Sequence, residues 1–341
     1  MNMKKSTRIL LIALVAVMIS ALPFLLPSAN MLEDYQYGVW SEWAAEGLLR
    51  LMPAAHAEEE PAIAPLPIDF SSGMTPNPAA FTEDGYEDTS ISIQLEHRVD
   101  EANNLSWRIA YVQIKDPTQL RTGIAGKKVT NSAELKISDI IKTRYPNTII
   151  AINGDCFTKQ SNAGYVYRMG EKRISSTNKQ KDILIIDENS DFHIFLQNDS
   201  KNTQKTQIDA FLAEGHQVIN AFTFGPALVQ DGNLLQTPKN YKYDPNAKDQ
   251  RAAIGQMGPL SYVFVLCEAR WTGYDGVTHQ ELADFMYDLG CLQAYNLDGG
   301  NSAVIVFGNG YFQTKRSYTN ERELSDFIYF ASAVDPAEWS N

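Results

Sequence analysis

The chain has 341 residues, 44% of them hydrophobic and 11% aromatic, enough for a buried core and too rich for a disordered polymer. Its formal net charge of -12 argues against a nucleic-acid partner, whose backbone needs a basic footprint. Length alone sets an expectation of one or two domains.

Lys4, Lys5 and Arg8 precede an apolar run from Ile9 to Pro27 that carries no charged residue. Its length is close to the roughly 20 residues that span a bilayer. The basic flank places its start on the cytoplasmic side. Residues 1–27 therefore read as a membrane anchor or signal segment. Ala55-His56-Ala57, followed by three glutamates, has the form of a signal-peptidase site, although it lies far from the run. A retained anchor and a cleaved leader both put the bulk of the chain outside the cytoplasm. Residues 28–87 read as a juxtamembrane segment followed by a Pro/Ala/acidic linker, with the globular domain expected over 88–341.

Within that domain, residues 91–99 and 107–115 alternate apolar with polar, the pattern of half-buried strands. Asn131 with Glu134 has capping-box spacing and predicts a helix that stops before Pro146. Residues 148–152 form a short apolar strand, and the runs on either side of Glu188–Ser190 read as a hairpin. A helix is expected to end at Gly215, and Asp231-Gly232 predicts a tight hairpin turn. Residues 251–257 and 261–267 read as paired strands. Thr278 and Glu281 form a second capping box, with Leu282, Phe285, Met286 and Leu289 at helical spacing. His279, just inside that helix, reads as exposed. Short strands follow at 303–307 and 326–332. The class implied is α+β, with a large, mixed, mostly antiparallel sheet and helices packed on it.

The three cysteines, Cys156, Cys267 and Cys291, have no metal-ligand spacing. Their odd number permits one intrachain disulfide, for which Cys267 and Cys291 are the candidate pair. The five histidines form no metal-binding motif, and no cofactor is expected.

Two places share one plan, in which an apolar strand after a helix ends in Asn, Asp and Gly. One holds Asn153, Gly154 and Asp155; the other holds Asn296, Asp298, Gly299, Gly300 and Ser302. Polar groups at strand ends lie at the rim of a sheet, where pockets form. Glycines expose backbone N–H groups that can cradle an anion, and an adjacent carboxylate can act as acid, base or nucleophile. Either motif alone is also ordinary turn chemistry. Four arginines, Arg168, Arg251, Arg270 and Arg322, are candidate phosphate ligands, since a guanidinium binds phosphate oxygens in bidentate fashion.

The segments AINGDCF, YVYRMG, FGPALVQDG, RAAIG, GVTHQELADFMYDLGCLQAYNLDGGNS and RELSD occur in the order found in the phosphodiester glycosidase family. The chain resembles that family over roughly residues 90–334. The resemblance implies hydrolysis of a sugar joined through its anomeric oxygen to a phosphodiester, here in a cell-envelope glycan. It carries the family's motif positions onto Asn153, Gly154, Asp155, Arg168, Arg251, Asn296, Asp298, Gly299, Gly300 and Ser302. Asp298 and Asp155 are the candidate catalytic carboxylates, and the others are candidate substrate-binding residues. Asn301 stands where the family usually has a third glycine, and Cys156 where glycine or an aromatic residue is common. Two alternatives stay open: a metal-dependent phosphoesterase with Asp155 and Asp298 holding a divalent cation, and a non-catalytic glycan-binding or assembly protein of the envelope.

Overall fold

The computed structural model describes residues 63–339, apart from 160–163, 178–180, 198–200 and 243. The chain divides after Ala62, and every described residue belongs to the unit Ile63–Asn341. The apolar run, its flank and the Ala-His-Ala site lie outside the described residues. Among those described, no helix is long and apolar enough to cross a membrane.

In chain order the elements begin with β1 (Gly85–Glu87), β2 (Ile91–Asp100), β3 (Leu105–Ile114), β4 (Leu120–Ile124), α1 (Ile137–Arg144) and β5 (Thr148–Asn153). There follow β6 (Gly164–Arg168), β7 (Glu171–Ser176), β8 (Ile183–Ile186), β9 (Phe192–Phe195), α2 (Lys201–Ala213) and β10 (Asn220–Phe222). Next come β11 (Ala227–Gln230), β12 (Asn233–Leu234), β13 (Arg251–Gly258), β14 (Ser261–Cys267), α3 (His279–Asp288) and β15 (Gln293–Asn296). The last are β16 (Ile305–Phe307), β17 (Gly310–Tyr311), α4 (Lys315–Tyr318) and β18 (Asp326–Ala331).

These strands form three sheets rather than one. The largest runs β1-β2-β3-β14-β13-β15-β11-β12; the others run β7-β6-β10-β8-β9 and β17-β16-β5-β18-β4. Every ladder among the described residues is antiparallel. The architecture is α+β, as the mixture of strands and helices predicts.

The layering follows from which face each strand buries. One face of the large sheet, with Ile109, Ala253, Val263 and Ala294, packs against Leu282, Ala283 and Met286 of α3. Full burial of the larger ones, Ile109, Val263, Leu282 and Met286, stabilises by about 1.5–3 kcal/mol each. The other face, with Ile93, Val112, Ile254 and Phe264, meets Ile150, Ile152 and Ile328 of the third sheet. Strand β5 is buried at every position. Ile150 and Ile152 enter the main core, while Ala151 faces Ile137, Ile140 and Ile141 of α1. Covered on both sides, it carries an unbroken apolar run instead of alternation.

Local signals hold where local bonds decide. Thr278 and Glu281 exchange both capping-box bonds at the start of α3. Asp231 and Gly232 take positive φ in the predicted tight turn. The first predicted cap differs. Asn131 Oδ1 accepts instead from the Lys127 and Lys128 amides, and Glu134 binds Thr158 and Lys159. Helix α1 starts later, and its Ile137 amide donates to Glu321 Oε1, 184 residues away. The segment 63–84, which composition places in the linker, is packed on the domain. Arg121 Nη2 donates to the carbonyls of Pro67, Asp69 and Ser71, the Asn147 side chain donates to the Gly73 carbonyl, and Phe81 stacks edge-on to Tyr86 and Phe307. All three cysteines are buried and free, so the Cys267–Cys291 pairing is not formed. Both thiols are absorbed by the apolar core between the large sheet and α3.

Candidate active site

The two twin motifs meet. Strand β5 ends at Asn153 and β15 at Asn296, on different sheets, and the loops beyond them are bonded to each other. Asn153 Nδ2 donates to the Asp298 carbonyl at 2.7 Å, and the Asp298 amide donates to the Gly154 carbonyl at 3.3 Å. Asn153 Oδ1 in turn accepts from the Val304 amide. Asn153 is thus a clamp between the motifs, with both ends of its amide engaged by backbone.

Beneath the clamp lies a buried charge cluster. Strand β6 ends at Arg168 and β18 begins at Asp326, which brings the Arg168 guanidinium between two carboxylates. Arg168 Nη2 is 2.7 Å from Asp155 Oδ1 and 2.7 Å from Asp326 Oδ2, and its Nε donates to the same Asp326 oxygen at 3.0 Å. All three side chains are buried. The guanidinium carbon also lies 3.9 Å from the Phe222 ring centroid. The second oxygen of Asp155 accepts from the Thr223 amide at 2.9 Å. Burial pushes the Asp155 carboxyl up to about 6, against the pull of Arg168, with Asp326 adding to the rise. Both oxygens of Asp155 therefore face hydrogen-bond donors, and a cation there would have to displace a guanidinium. Gly154 makes the cluster fit, because a Cβ at that position would lie 2.0 Å from Asp326 Oδ2.

Asp298 sits closer to solvent, at 8% exposed. Arg322 Nη1 lies 3.3 Å from its Oδ2 and donates to Ser302 Oγ at 3.0 Å. Burial raises the Asp298 carboxyl above the usual range, while Ser302, Arg322 and the Gly299 amide hold it down. The loop glycines serve geometry. Gly300 has φ +61, and a Cβ on it would meet Arg270 Nη2 at 2.5 Å. Its amide donates to the Gln250 carbonyl at 2.7 Å, so the pair of glycine amides is not an open anion cradle. Asn301 uses its side chain as a latch, accepting from Arg270 Nη1 at 2.9 Å while Arg270 grips Asp249 with two bonds. Asn296 donates to the Gly225 carbonyl at 2.7 Å, and its Oδ1 is buried without a partner among the described residues.

Arg251 is buried beside this loop, but its guanidinium turns away from the glycines. It binds the carbonyls of Val277, Asp244 and Ala247 and lies 2.9 Å from His279 Nε2. That contact overturns the expected exposure of His279, which is fully buried. Burial and the adjacent guanidinium push its imidazole down to about 3.

Sequence reasoning missed two members of the site. Asp326 is the last residue of the RELSD segment, so its signal was present but attached to no chemistry. Lys181 lies in a polar stretch that reads as a solvated turn, yet it is 2% exposed. Its ammonium donates to the Thr223 carbonyl at 3.3 Å and lies above the Phe224 ring. Burial drives it down to about 8, against the attraction of Asp155 and Asp298. The site thus offers a largely buried carboxylate, a buried ammonium and an accessible guanidinium, Arg322 being 41% exposed. Such a set can bind an anion and stabilise charge that develops next to it.

Comparison with known proteins bears on the family and the fold. The profile described as phosphodiester glycosidase matches residues 146–331, a span that contains every residue named above for the two motifs and the charge cluster. The SPbeta prophage-derived uncharacterized protein YomE of Bacillus subtilis (strain 168) is 30% identical over 105 residues, 31% of this chain and 16% of that protein. The chain therefore spans about a sixth of that relative. Among solved structures, the catalytic domain of zebrafish N-acetylglucosamine-1-phosphodiester alpha-N-acetylglucosaminidase, auto-inhibited by its pro-peptide, superposes with a TM-score of 0.54 at 17% identity. That match covers 76% of this chain and 87% of the zebrafish one. A hypothetical protein from Synechocystis superposes with a TM-score of 0.51 at 15% identity, over 71% of this chain and 62% of that one. At these identities the superpositions establish a shared fold.

Proposed function

Since the chain belongs to the phosphodiester glycosidase family, we propose that it hydrolyses the glycosidic bond of a sugar-1-phosphodiester, releasing free sugar and leaving a phosphomonoester. The observation that carries this reading is the placement of Asp298, a carboxylate paired with the exposed Arg322 on a loop that Asn153 clamps beside the buried charge cluster. Breaking the bond from the anomeric carbon to oxygen develops positive charge on the sugar and negative charge on the departing phosphate. Phosphate leaves readily, so the demand falls on electrostatic stabilisation of both partners.

In this reading Asp298 faces the anomeric carbon, as nucleophile or as stabiliser of the oxocarbenium character. Arg322 and Lys181 hold the phosphate oxygens. Asn296 Oδ1, buried and unpaired, accepts from a sugar hydroxyl. Asp155 and Asp326 keep the Arg168 guanidinium fixed, and Asn153 holds the two loops in register. Arg251 supports the loop from behind. The basic flank and apolar run at the N-terminus support an extracytoplasmic place of work on an envelope glycan, with the membrane reached through that segment.

The test is a panel of sugar-1-phosphodiesters with free sugar and sugar phosphate read separately. Free sugar from the wild type, lost in Asp298→Asn at an unchanged Tm, is the expected result. Sugar phosphate as the product would mean that the phosphorus–oxygen bond breaks and would refute the reading. Full activity in Asp298→Asn would remove that carboxylate from the chemistry.

A further inference from the structure

A second cluster lies at the other end of strand β8 from Lys181, across four strand residues at about 3.3 Å each. Asp187 follows β8, His193 is on β9 opposite Ile185, and His216 follows α2 just after the positive-φ Gly215. His193 Nε2 lies 3.0 Å and His216 Nδ1 3.4 Å from the same oxygen, Asp187 Oδ2. We propose that Asp187, His193 and His216 form a binding site for a divalent transition-metal ion of the zinc class, separate from the candidate active site.

The donor set is the first argument. Two imidazole nitrogens and one carboxylate oxygen suit zinc, cobalt, nickel or copper, whereas calcium and magnesium take oxygen ligands. Spacing is the second. Ligands about 2.0–2.1 Å from a tetrahedral zinc stand roughly 3.3 Å from one another. The two measured separations bracket that value, and the three ligand atoms all lie within 4.8 Å of one another. Orientation is the third. The other oxygen of Asp187 accepts from the Asn189 and Asp191 amides, both at 2.9 Å, which turns Oδ2 toward the imidazoles. Phe211 of α2 lies parallel to the His216 ring at 4.5 Å and 4.6 Å from the His193 ring, fixing both. Such support is what holds metal ligands in place.

A hydrogen bond between Asp187 and His193 accounts for one imidazole. It does not account for a second imidazole nitrogen aimed at the same oxygen. Both rings are about one-third exposed, so an ion can enter from solvent. Glu188 Oε1, 4.0 Å from His216 Nδ1, stands at the open side, where it or water would complete four-coordination. An ion here joins the end of β8, strand β9 and the connection from α2 to β10. Its role is to staple the second sheet.

The experiment titrates zinc into the untagged, full-length, chelator-treated protein by calorimetry, and cobalt with visible absorption as the readout. One equivalent of zinc should bind, the cobalt form should show tetrahedral ligand-field bands, and zinc should raise Tm. His193→Ala and His216→Ala should each weaken binding by about tenfold or more and abolish the rise in Tm. His97→Ala, outside the cluster, should bind like wild type. Melting without metal keeps the variants interpretable, and His216→Gln serves if either alanine variant unfolds. No zinc binding by the wild type, or wild-type binding by the folded His193 and His216 variants, would overturn the proposal.

Discussion

Substitution of Gly154 by alanine probes the charge cluster through a single methyl group. The added Cβ would sit 2.0 Å from Asp326 Oδ2 and 2.5 Å from its Cγ, where real contacts do not fall below 3.0 Å. The carboxylate must therefore withdraw by about 1 Å, since repulsion rises steeply inside contact distance. It cannot do so without stretching its bonds of 2.7 and 3.0 Å to Arg168 beyond hydrogen-bonding range. Hydrogen bonds to charged groups contribute about 1.5–3 kcal/mol each, and overpacking costs about 1–3 kcal/mol. Partial relaxation leaves an expected loss of about 3–5 kcal/mol, comparable to breaking a buried ion pair. In a domain of this size that lowers Tm by about 10 °C. Urea unfolding of wild type, Gly154→Ala, Asp326→Ala and the double variant gives the coupling directly. In the Asp326→Ala background the same methyl should cost less than about 1 kcal/mol, because its obstacle is gone. A wild-type-like Gly154→Ala, or full additivity in the cycle, would refute the reasoning.

Other outcomes follow from the remaining buried groups. The ammonium of Lys181, driven down to about 8 by burial, loses its charge as pH rises through that value. Turnover should fall above about pH 8, and Lys181→Met should lower activity and erase that alkaline limb. His279 has its folded pKa depressed to about 3, so the unfolded chain binds the extra proton between pH 6.5 and 3. Stability from this group is complete above pH 6.5 and is lost as pH falls, and the acid loss in chemical denaturation should be shallower in His279→Gln by as much as about 4 kcal/mol. The thiols of Cys156 and Cys291 are raised by burial to about 11 and about 12, and that of Cys267 is raised as well. A thiol reagent should label none of the three in the native domain and all of them in urea. A labelled native protein would contradict their burial.

What the sequence made legible is what neighbouring residues decide. The capping box of α3 and the Asp231-Gly232 turn need only a few consecutive residues, and both form. The twin Asn-Asp-Gly motifs were visible as strand ends, although not the direct bond from Asn153 to Asp298. Long-range partners were hidden. Nothing near Asn131 reveals that α1 is capped by Glu321, and the helical pattern around His279 cannot show that Arg251 seals it in. Lys181 has the look of a surface residue because its burial comes from Thr223 and Phe224, in a different part of the chain. Asp187, His193 and His216 have no motif spacing, since a hairpin and a helix intervene between them. The loop 296–302 fared differently: its residues were named, but Arg251 and the Gly300 amide serve the scaffold.

Strand β18 occupies an interior place in the third sheet, between β5 and β4, which are both made far earlier. During synthesis those two strands must wait for a partner that does not yet exist. The same late segment delivers Asp326 to Arg168, across a separation of 158 residues, and Glu321 to the first turn of α1. A nascent chain lacking it therefore holds an unfinished sheet and a guanidinium with only one of its two carboxylates, Asp155, a state exposed to aggregation. The segment that completes the third sheet also completes the buried charge cluster, so a partly made chain has neither.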